Sequence, residues 1–425
     1  MKSLLVKINN KLNAQGGFFK AVSVLVGGTA FAQVIGLICL PILTRLYSPE
    51  DYTILGVYIA IVSILSVIAC LRLEIAIPIP DSDREAKDLL LLAFIINIVF
   101  VVFLYILLAL LHPFLEGFHV IQQLSFWLWF IPIGVLLSGI YSTLQYWSTR
   151  KKRFREIAKT RMTQAISGNG ASLVVGATSG SFGGLILGQL FSFGGGLLKL
   201  SISAYKDLKE VKENSSLKLT LYKYKDFPKY STFEALANTS AIQLPLIIIA
   251  YFLLGPEVGF LMLAMKVLGI PMGLIGSAMS QVYLSHAPKY HQDCKLYEYT
   301  LDVIKKILKI IFIPFFILAL ISPYIFGIIL GEQWSEVGYY ILAMIPWYFM
   351  QILSSPVSMS LHVIGEQKKA LYLQILGFVM RVLILILIAI CQTNWIIFYY
   401  VLSGFMFYAL YLIVILTALK AYERK

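Results

Sequence analysis

Residues 27–77 read GGTAFAQVIGLICLPILTRLYSPEDYTILGVYIAIVSILSVIACLRLEIAI. Two apolar runs flank a short polar turn at 45–51. The first run, 21–44, holds no charge over 24 residues, and the second, 53–71, holds none over 19. A helix needs about 20 apolar residues to cross the hydrocarbon core of a bilayer. The stretch is therefore read as a transmembrane hairpin. Gly27, Gly28, Gln33, Gly36 and Pro41 lie in its first helix. Such residues weaken a helix in water, but are tolerated in lipid where neighbouring helices cover the freed backbone groups.

Composition extends this reading to the whole chain. Of 425 residues, 59% are hydrophobic and 13% are charged, against about 45–50% apolar in soluble domains. The net charge of +13 fits either nucleic acid or an anionic membrane surface. The basic residues sit in short clusters between apolar runs, which selects the lipid bilayer and excludes nucleic acid as a partner. Twelve spans are expected, near 21–44, 53–71, 89–111, 125–147, 162–179, 182–204, 231–254, 258–283, 307–330, 337–360, 370–390 and 395–419. The fifth is short and rich in Gly and Ser.

Lysine and arginine counts orient these spans. Of the 35, 32 fall in the two tails and in loops 72–88, 149–161, 199–229, 284–309 and 361–369, and one, Arg45, falls on the opposite side. Both termini are thus expected in the cytoplasm. The expected fold is an all-α integral membrane protein of two six-helix lobes. Residues 1–205 form the first lobe, 206–230 a basic cytoplasmic linker with a surface helix, and 231–425 the second lobe. Residues 3–14 are expected on the inner membrane surface, with Leu5, Ile8 and Leu12 on one helical face among lysines. The first run is too long for a signal-peptide core and lacks a small-residue cleavage site, so no cleavage is expected.

Two internal echoes support a repeat. Leu40-Pro41 before Pro49-Glu50 resembles Leu244-Pro245 before Pro256-Glu257. Val258-Gly259…Ala264-Met265 resembles Val337-Gly338…Ala343-Met344. Repeated bundles that rock against each other are a transporter plan. Cys39, Cys70, Cys294 and Cys391 lack paired spacing, and the five histidines lack ligand spacing. No disulfide, metal or cofactor is expected.

Ionisable groups within a membrane are costly and mark function by default. Lys266 and Arg381 are the cations deep in spans, and Arg45 ends the first span. They form the expected substrate-binding set, with the amides Gln33 and Asn238 in the first helix of each half. Arg72 and Glu74 at the inner end of the second span, with Glu234 one turn into the seventh, are candidates for gating or ion coupling. Each has a plain structural alternative, as an interfacial anchor, buried ion pair or solvated helix end. No nucleophile–base pair, carboxylate pair or metal cluster marks an enzyme. Basic groups at depth with almost no acid suit an anionic substrate.

Residues 28–52, with Gly28-Thr29-Ala30, Gln33 and Pro41-Ile42-Leu43-Thr44-Arg45-Leu46-Tyr47-Ser48-Pro49-Glu50-Asp51-Tyr52, followed by Leu71-Arg72-Leu73-Glu74-Ile75-Ala76-Ile77, resemble the opening of bacterial polysaccharide-unit flippases. These share a superfamily with multidrug and toxin extrusion antiporters and the peptidoglycan-precursor flippase. The resemblance returns at Phe227-Pro228, Pro245 and Pro271, and is weakest in the C-terminal quarter. It implies a multi-pass protein of the bacterial inner membrane. The implied substrate is an undecaprenyl-diphosphate-linked oligosaccharide, such as an O-antigen or capsule repeat, flipped to the periplasmic leaflet by alternating access. It also implies a coupling ion, H⁺ or Na⁺, and polymerase and chain-length proteins of the same lipopolysaccharide-type pathway as partners. The related precursor flippase has a basic residue in its eighth span lining the central cavity, a role carried to Lys266 by span and depth. The rivals are a drug or cation antiporter of the superfamily, and a membrane polymerase or acyltransferase.

Overall fold

A computed structural model describes residues 17–115, 117–210, 216–253, 255–391 and 395–423. The expected surface helix at 3–14 lies outside them. Helix takes up 91% of the described residues, and no strand occurs among them. The principal helices are α1 Gly17–Leu46, α2 Pro49–Ala69, α3 Asp83–Leu115, α4 Ile131–Arg150, α5 Phe154–Ser179, α6 Gly183–Gly194, α7 Leu197–Glu210, α8 Leu217–Lys223, α9 Thr232–Leu253, α10 Glu257–Pro271, α11 Ser277–Gln292, α12 Leu296–Leu330, α13 Glu336–Ser354, α14 Gln367–Phe378, α15 Ile384–Cys391 and α16 Ile396–Glu423.

Eleven segments among the described residues are helical, long and apolar enough to cross a membrane. The segment that falls short is the expected fifth span. It forms α5, a helix of 26 residues, or about 39 Å at 1.5 Å per residue. Its small and polar residues do not serve a lipid face. Gly168 and Ser172 instead pack against Gly188 of α6, and Ser167 Oγ donates to the Phe191 carbonyl at 2.9 Å. Small residues let transmembrane helices approach closely.

The chain divides into two compact units, Met1–Cys39 with Ile61–Leu236, and Leu40–Ala60 with Ala237–Lys425. Residues 40–60, which a count of six spans per lobe gives to the N-terminal lobe, group with the second unit.

In the first unit α3 shows how a span divides its faces. Ala86, Leu89, Leu90, Ala93, Asn97, Val101 and Leu104 are buried at helical spacing. Ile95, Ile98, Val99, Val102, Phe103 and Ile106 are exposed. An apolar stripe of this size is an aggregation hazard in water and a lipid face in a membrane. The expected sixth span is broken between α6 and α7, where Gly196 adopts φ +82°. A side chain there would also collide with Thr160 of α5, so glycine is required twice over.

The segment expected as a linker packs onto the first unit. Trp147 Nε1 donates to Asp207 Oδ2 at 2.9 Å, and Arg153 pairs with the other carboxylate oxygen at 2.6 Å. Thr220 donates to the buried Asp88 at 2.9 Å. Lys223 pairs with Glu85 at 2.7 Å in an exposed, solvent-screened contact. The buried Trp147 and Asp88 contacts fix the position; the surface pair adds little.

In the second unit α12 and α13 form an antiparallel pair whose Phe315 and Phe349 rings meet edge-on at 6.0 Å, and Ile307, Ile311, Ile341 and Met344 on these helices are fully buried. The repeat echo has a physical reason here. Gly259 and Gly338 each stand in the first turn of a helix. A Cβ at 259 would strike the Pro49 carbonyl, and one at 338 the Ser322 carbonyl. Both glycines let a helix start press against the backbone of a neighbour. Two helices of this unit carry a single π turn, Met272–Gly276 between α10 and α11 and Val379–Leu383 between α14 and α15.

Candidate functional site

The polar turn at 45–51 is built by local rules. Ser48 N–H donates to Asp51 Oδ2 at 2.8 Å and Asp51 N–H to Ser48 Oγ at 3.2 Å. This reciprocal pair caps the start of α2, and Pro49 opens that helix, where a missing N–H costs nothing. The end of α1 leaves carbonyls unsatisfied, and residues after α12 take them up. Gln333 Nε2 donates to the Thr44 carbonyl at 2.7 Å and Trp334 Nε1 to the same oxygen at 2.8 Å. Arg45 is exposed, yet its Nη1 donates to the carbonyls of Pro41 at 2.7 Å and Ile329 at 3.1 Å. The geometry gives Arg45 an anchoring task, with the rest of its guanidinium available to solvent or ligand.

Lys266 lies on α10 opposite its buried face. Leu261, Ala264 and Leu268 are fully buried, whereas Lys266 is exposed. It stands nine residues after Glu257 at the helix start, or about 13 Å along the axis. The π turn at Met272–Gly276 follows within two turns, where Pro271 removes a helix hydrogen bond.

Arg381 is the opposite case. It is 4% exposed. Its guanidinium carbon lies 5.3 Å from the ring centre of Trp347, 4.6 Å from Phe407 and 5.0 Å from Tyr408. The expectation of a second substrate-facing cation meets an enclosed side chain.

In the first unit Arg72 and Glu74 sit in a tight connection after α2. Leu71 and Arg72 both adopt left-handed backbone, φ +48° and +60°, costing of order 1–2 kcal/mol per residue. Glu74 is 5% exposed and 3.9 Å from Arg72. Arg72 Nε and Glu74 Oε2 are buried and lack hydrogen-bond partners. Burial pushes the Glu74 carboxyl above its ordinary 4.5, against smaller opposing effects from its own backbone N–H and Arg72. Tyr146 and Cys70 face the same carboxyl. Glu74 is buried at the strained turn, with Arg72 half-buried beside it.

Glu234 and Asn238 are exposed on α9, and Gln33 is half-buried with its Oε1 enclosed and unpartnered. One turn before Gln33, Thr29 accepts a hydrogen bond from Arg161 of α5, and Arg161 also bonds Tyr141 of α4. Arg161 was not among the residues expected from sequence, since the basic cluster 149–161 reads as a loop. It stands two turns into α5. Ile157 and Ala158, buried just before it, are the signal that the helix has already begun.

These features define a class. Long apolar helices carry a few basic and amide groups, and among the described residues no three metal-ligating side chains cluster. The fold is that of transporters of the MOP superfamily. An inward-facing multidrug resistance MATE family transporter matches with TM-score 0.62 at 14% identity, over 95% of this chain and 96% of that one. The lipid II flippase MurJ, in an inward closed conformation, matches with TM-score 0.68 at 14% identity, over 92% and 86%. A MOP superfamily transporter from Pyrococcus furiosus, with a binding pocket of reverse polarity, matches with TM-score 0.61 at 12% identity, over 96% and 97%. No curated protein matches in sequence. The chain belongs to the polysaccharide biosynthesis protein family, whose profile matches residues 42–338.

Proposed function

We propose that this protein is a flippase for a polyprenyl-diphosphate-linked oligosaccharide repeat unit, of the O-antigen or capsule kind. It turns the head group from the cytoplasmic to the periplasmic leaflet of a bacterial inner membrane by alternating access. The observation that carries this reading is Lys266, an exposed cation well along a membrane helix, in a chain of a polysaccharide biosynthesis family. A charged group at membrane depth is costly and marks function by default. A diphosphate is an anion that such a cation binds. Arg45 is the second phosphate-binding group, and Gln33, Asn238 and Arg161 offer hydrogen bonds to sugar hydroxyls. Arg72, Glu74 and Glu234 are assigned to gating or to coupling with H⁺ or Na⁺. Polymerase and chain-length proteins receive the flipped unit. No bond in the substrate is made or broken.

The test is complementation of a flippase-deficient strain. The wild-type chain is expected to restore surface polysaccharide, Lys266→Ala to reach the membrane but fail, and Lys266→Arg to retain part of the function. Normal polysaccharide from Lys266→Ala at native expression overturns the assignment. Drug export by the wild-type chain without any polysaccharide would instead favour a cation antiporter.

A further inference from the structure

The second unit buries a cation for which it provides no counter-charge. Arg381 stands ten residues inside the Cys391 end of the span Lys368–Cys391, about 15 Å deep. A guanidinium stays charged in any protein environment. Among the described residues no carboxylate pairs with it. Its Nε and Nη2 are buried without a hydrogen-bond partner, and so is Nε1 of Trp347, the ring 5.3 Å away.

The three surrounding rings offset part of this. A desolvated cation–π contact contributes about 2 kcal/mol, whereas a buried ion costs several kcal/mol even after relaxation. The rings cover the faces of the guanidinium and leave its edge donors unmet. Each buried donor left unmade costs about 1–3 kcal/mol more. Arg381 and the adjoining Trp347 therefore hold buried N–H groups without a hydrogen-bond partner, and the polar groups that face the guanidinium are the phenols of Tyr348 and Tyr400 rather than a carboxylate. Arg381 is also the central residue of the π turn Val379–Leu383, and such bulges recur at functional positions.

We infer that this locus binds a small monovalent inorganic anion, with chloride as the natural occupant. The ligand must be small because Arg381 and Trp347 are each 4% exposed. It must be an acceptor, because the unmet groups are all donors. A lipid phosphate or a sugar diphosphate is too large to enter, so the site is separate from substrate handling by Lys266 and Arg45.

The experiment uses the full-length purified protein in detergent. Its melting temperature is followed as chloride replaces gluconate at constant ionic strength. Bromide is then located by anomalous scattering. Saturable stabilisation by chloride, and a bromide peak at hydrogen-bonding distance from Arg381 Nε or Nη2, are expected. Trp347→Phe keeps the ring over the guanidinium and removes one donor. It should raise the half-saturating chloride concentration about tenfold, the equivalent of one hydrogen bond to a charged group. Arg381→Gln should abolish the chloride response. Should that variant fail to fold, Trp347→Phe still decides. Identical melting in chloride and gluconate overturns the proposal in favour of water at the donors. A chloride response unchanged in Trp347→Phe, or a bromide peak elsewhere, also overturns it.

Discussion

Trp334 donates its indole N–H to the carbonyl of Thr44 at 2.8 Å, between residues 290 positions apart in sequence. Both residues belong to the second unit. Tyr52 and Phe260 meet the same indole edge-on, with ring centres at 5.0 and 6.0 Å, and Trp334 itself is fully buried. The motif at 41–52 is thus held by a residue near the end of the matched family region. Trp334→Phe keeps the ring contacts and strands the Thr44 carbonyl with Gln333 as its remaining side-chain donor. Its expected cost is about 0.5–1.5 kcal/mol, that of one net hydrogen bond, seen as a lower melting temperature in detergent. Trp334→Ala adds a cavity and should cost about 3–5 kcal/mol, seen as reduced protein in the membrane.

Glu74 sets a pH dependence whose sign follows from its burial. The folded carboxyl titrates above its ordinary 4.5, so the native state holds this proton more tightly than the unfolded chain does. Its burial is harmless below 4.5. Stability is then lost as pH rises from there through the folded value. Glu74→Gln removes that loss. Melting temperatures measured across about pH 4–8 should fall less steeply for Glu74→Gln than for wild type, and the variant should be the more stable at neutral pH. Parallel curves would show that the carboxyl finds compensation in the native state.

Arg161, Thr29 and Tyr141 tie α5 to α1 and α4 within the first unit. Arg161→Gln should destabilise by about 1–3 kcal/mol, since it leaves half-buried hydroxyls without their charged partner. A double-mutant cycle with Thr29→Val isolates the contact. A coupling of at least about 0.5 kcal/mol is expected, as for residues in direct contact. Strict additivity of the two substitutions would mean that the bond does not persist in the membrane protein.

Much of this was legible in the sequence. Runs of uncharged residues gave the spans, because the bilayer imposes both length and apolarity. Ser48, Pro49 and Asp51 mark a helix start by local chemistry, and the structure places a capped start there. What the sequence hid depends on contacts between distant segments. Residues 40–60 read as part of an N-terminal lobe because a span count cannot see Trp334 and Gln333 taking up the Thr44 carbonyl. Arg161 read as a loop residue because charge clusters blur the start of a polar helix. Arg381 read as a cavity cation because depth alone does not distinguish open space from a cage of Trp347, Phe407 and Tyr408. The paired Val-Gly echoes at 258–259 and 337–338 read as a repeat, and each glycine meets a neighbouring carbonyl.

The orientation of the spans is the remaining prediction, and the native cysteines test it. The charge count of 32 basic residues against one places both termini in the cytoplasm. On that assignment Cys294, between α11 and α12, faces the cytoplasm, and Cys391, at the end of α15, faces outward. Both are exposed, whereas Cys70 is buried and Cys39 half-buried. Single-cysteine variants would be treated in intact spheroplasts with a membrane-impermeant maleimide. Cys391 should label without permeabilisation, and Cys294 only after it. Glu50→Cys, exposed at the start of α2, should behave as Cys391 does. Glu50 precedes the cap residue Asp51 without entering its bonds, so this substitution leaves the turn intact. Ser216→Cys, exposed before α8, should follow Cys294. A reversed pattern at all four positions would invert the topology and with it the proposed direction of transport. Reversal at Cys391 and Cys294 but not at Glu50 and Ser216 would mean that a span in the second half of the chain had been miscounted.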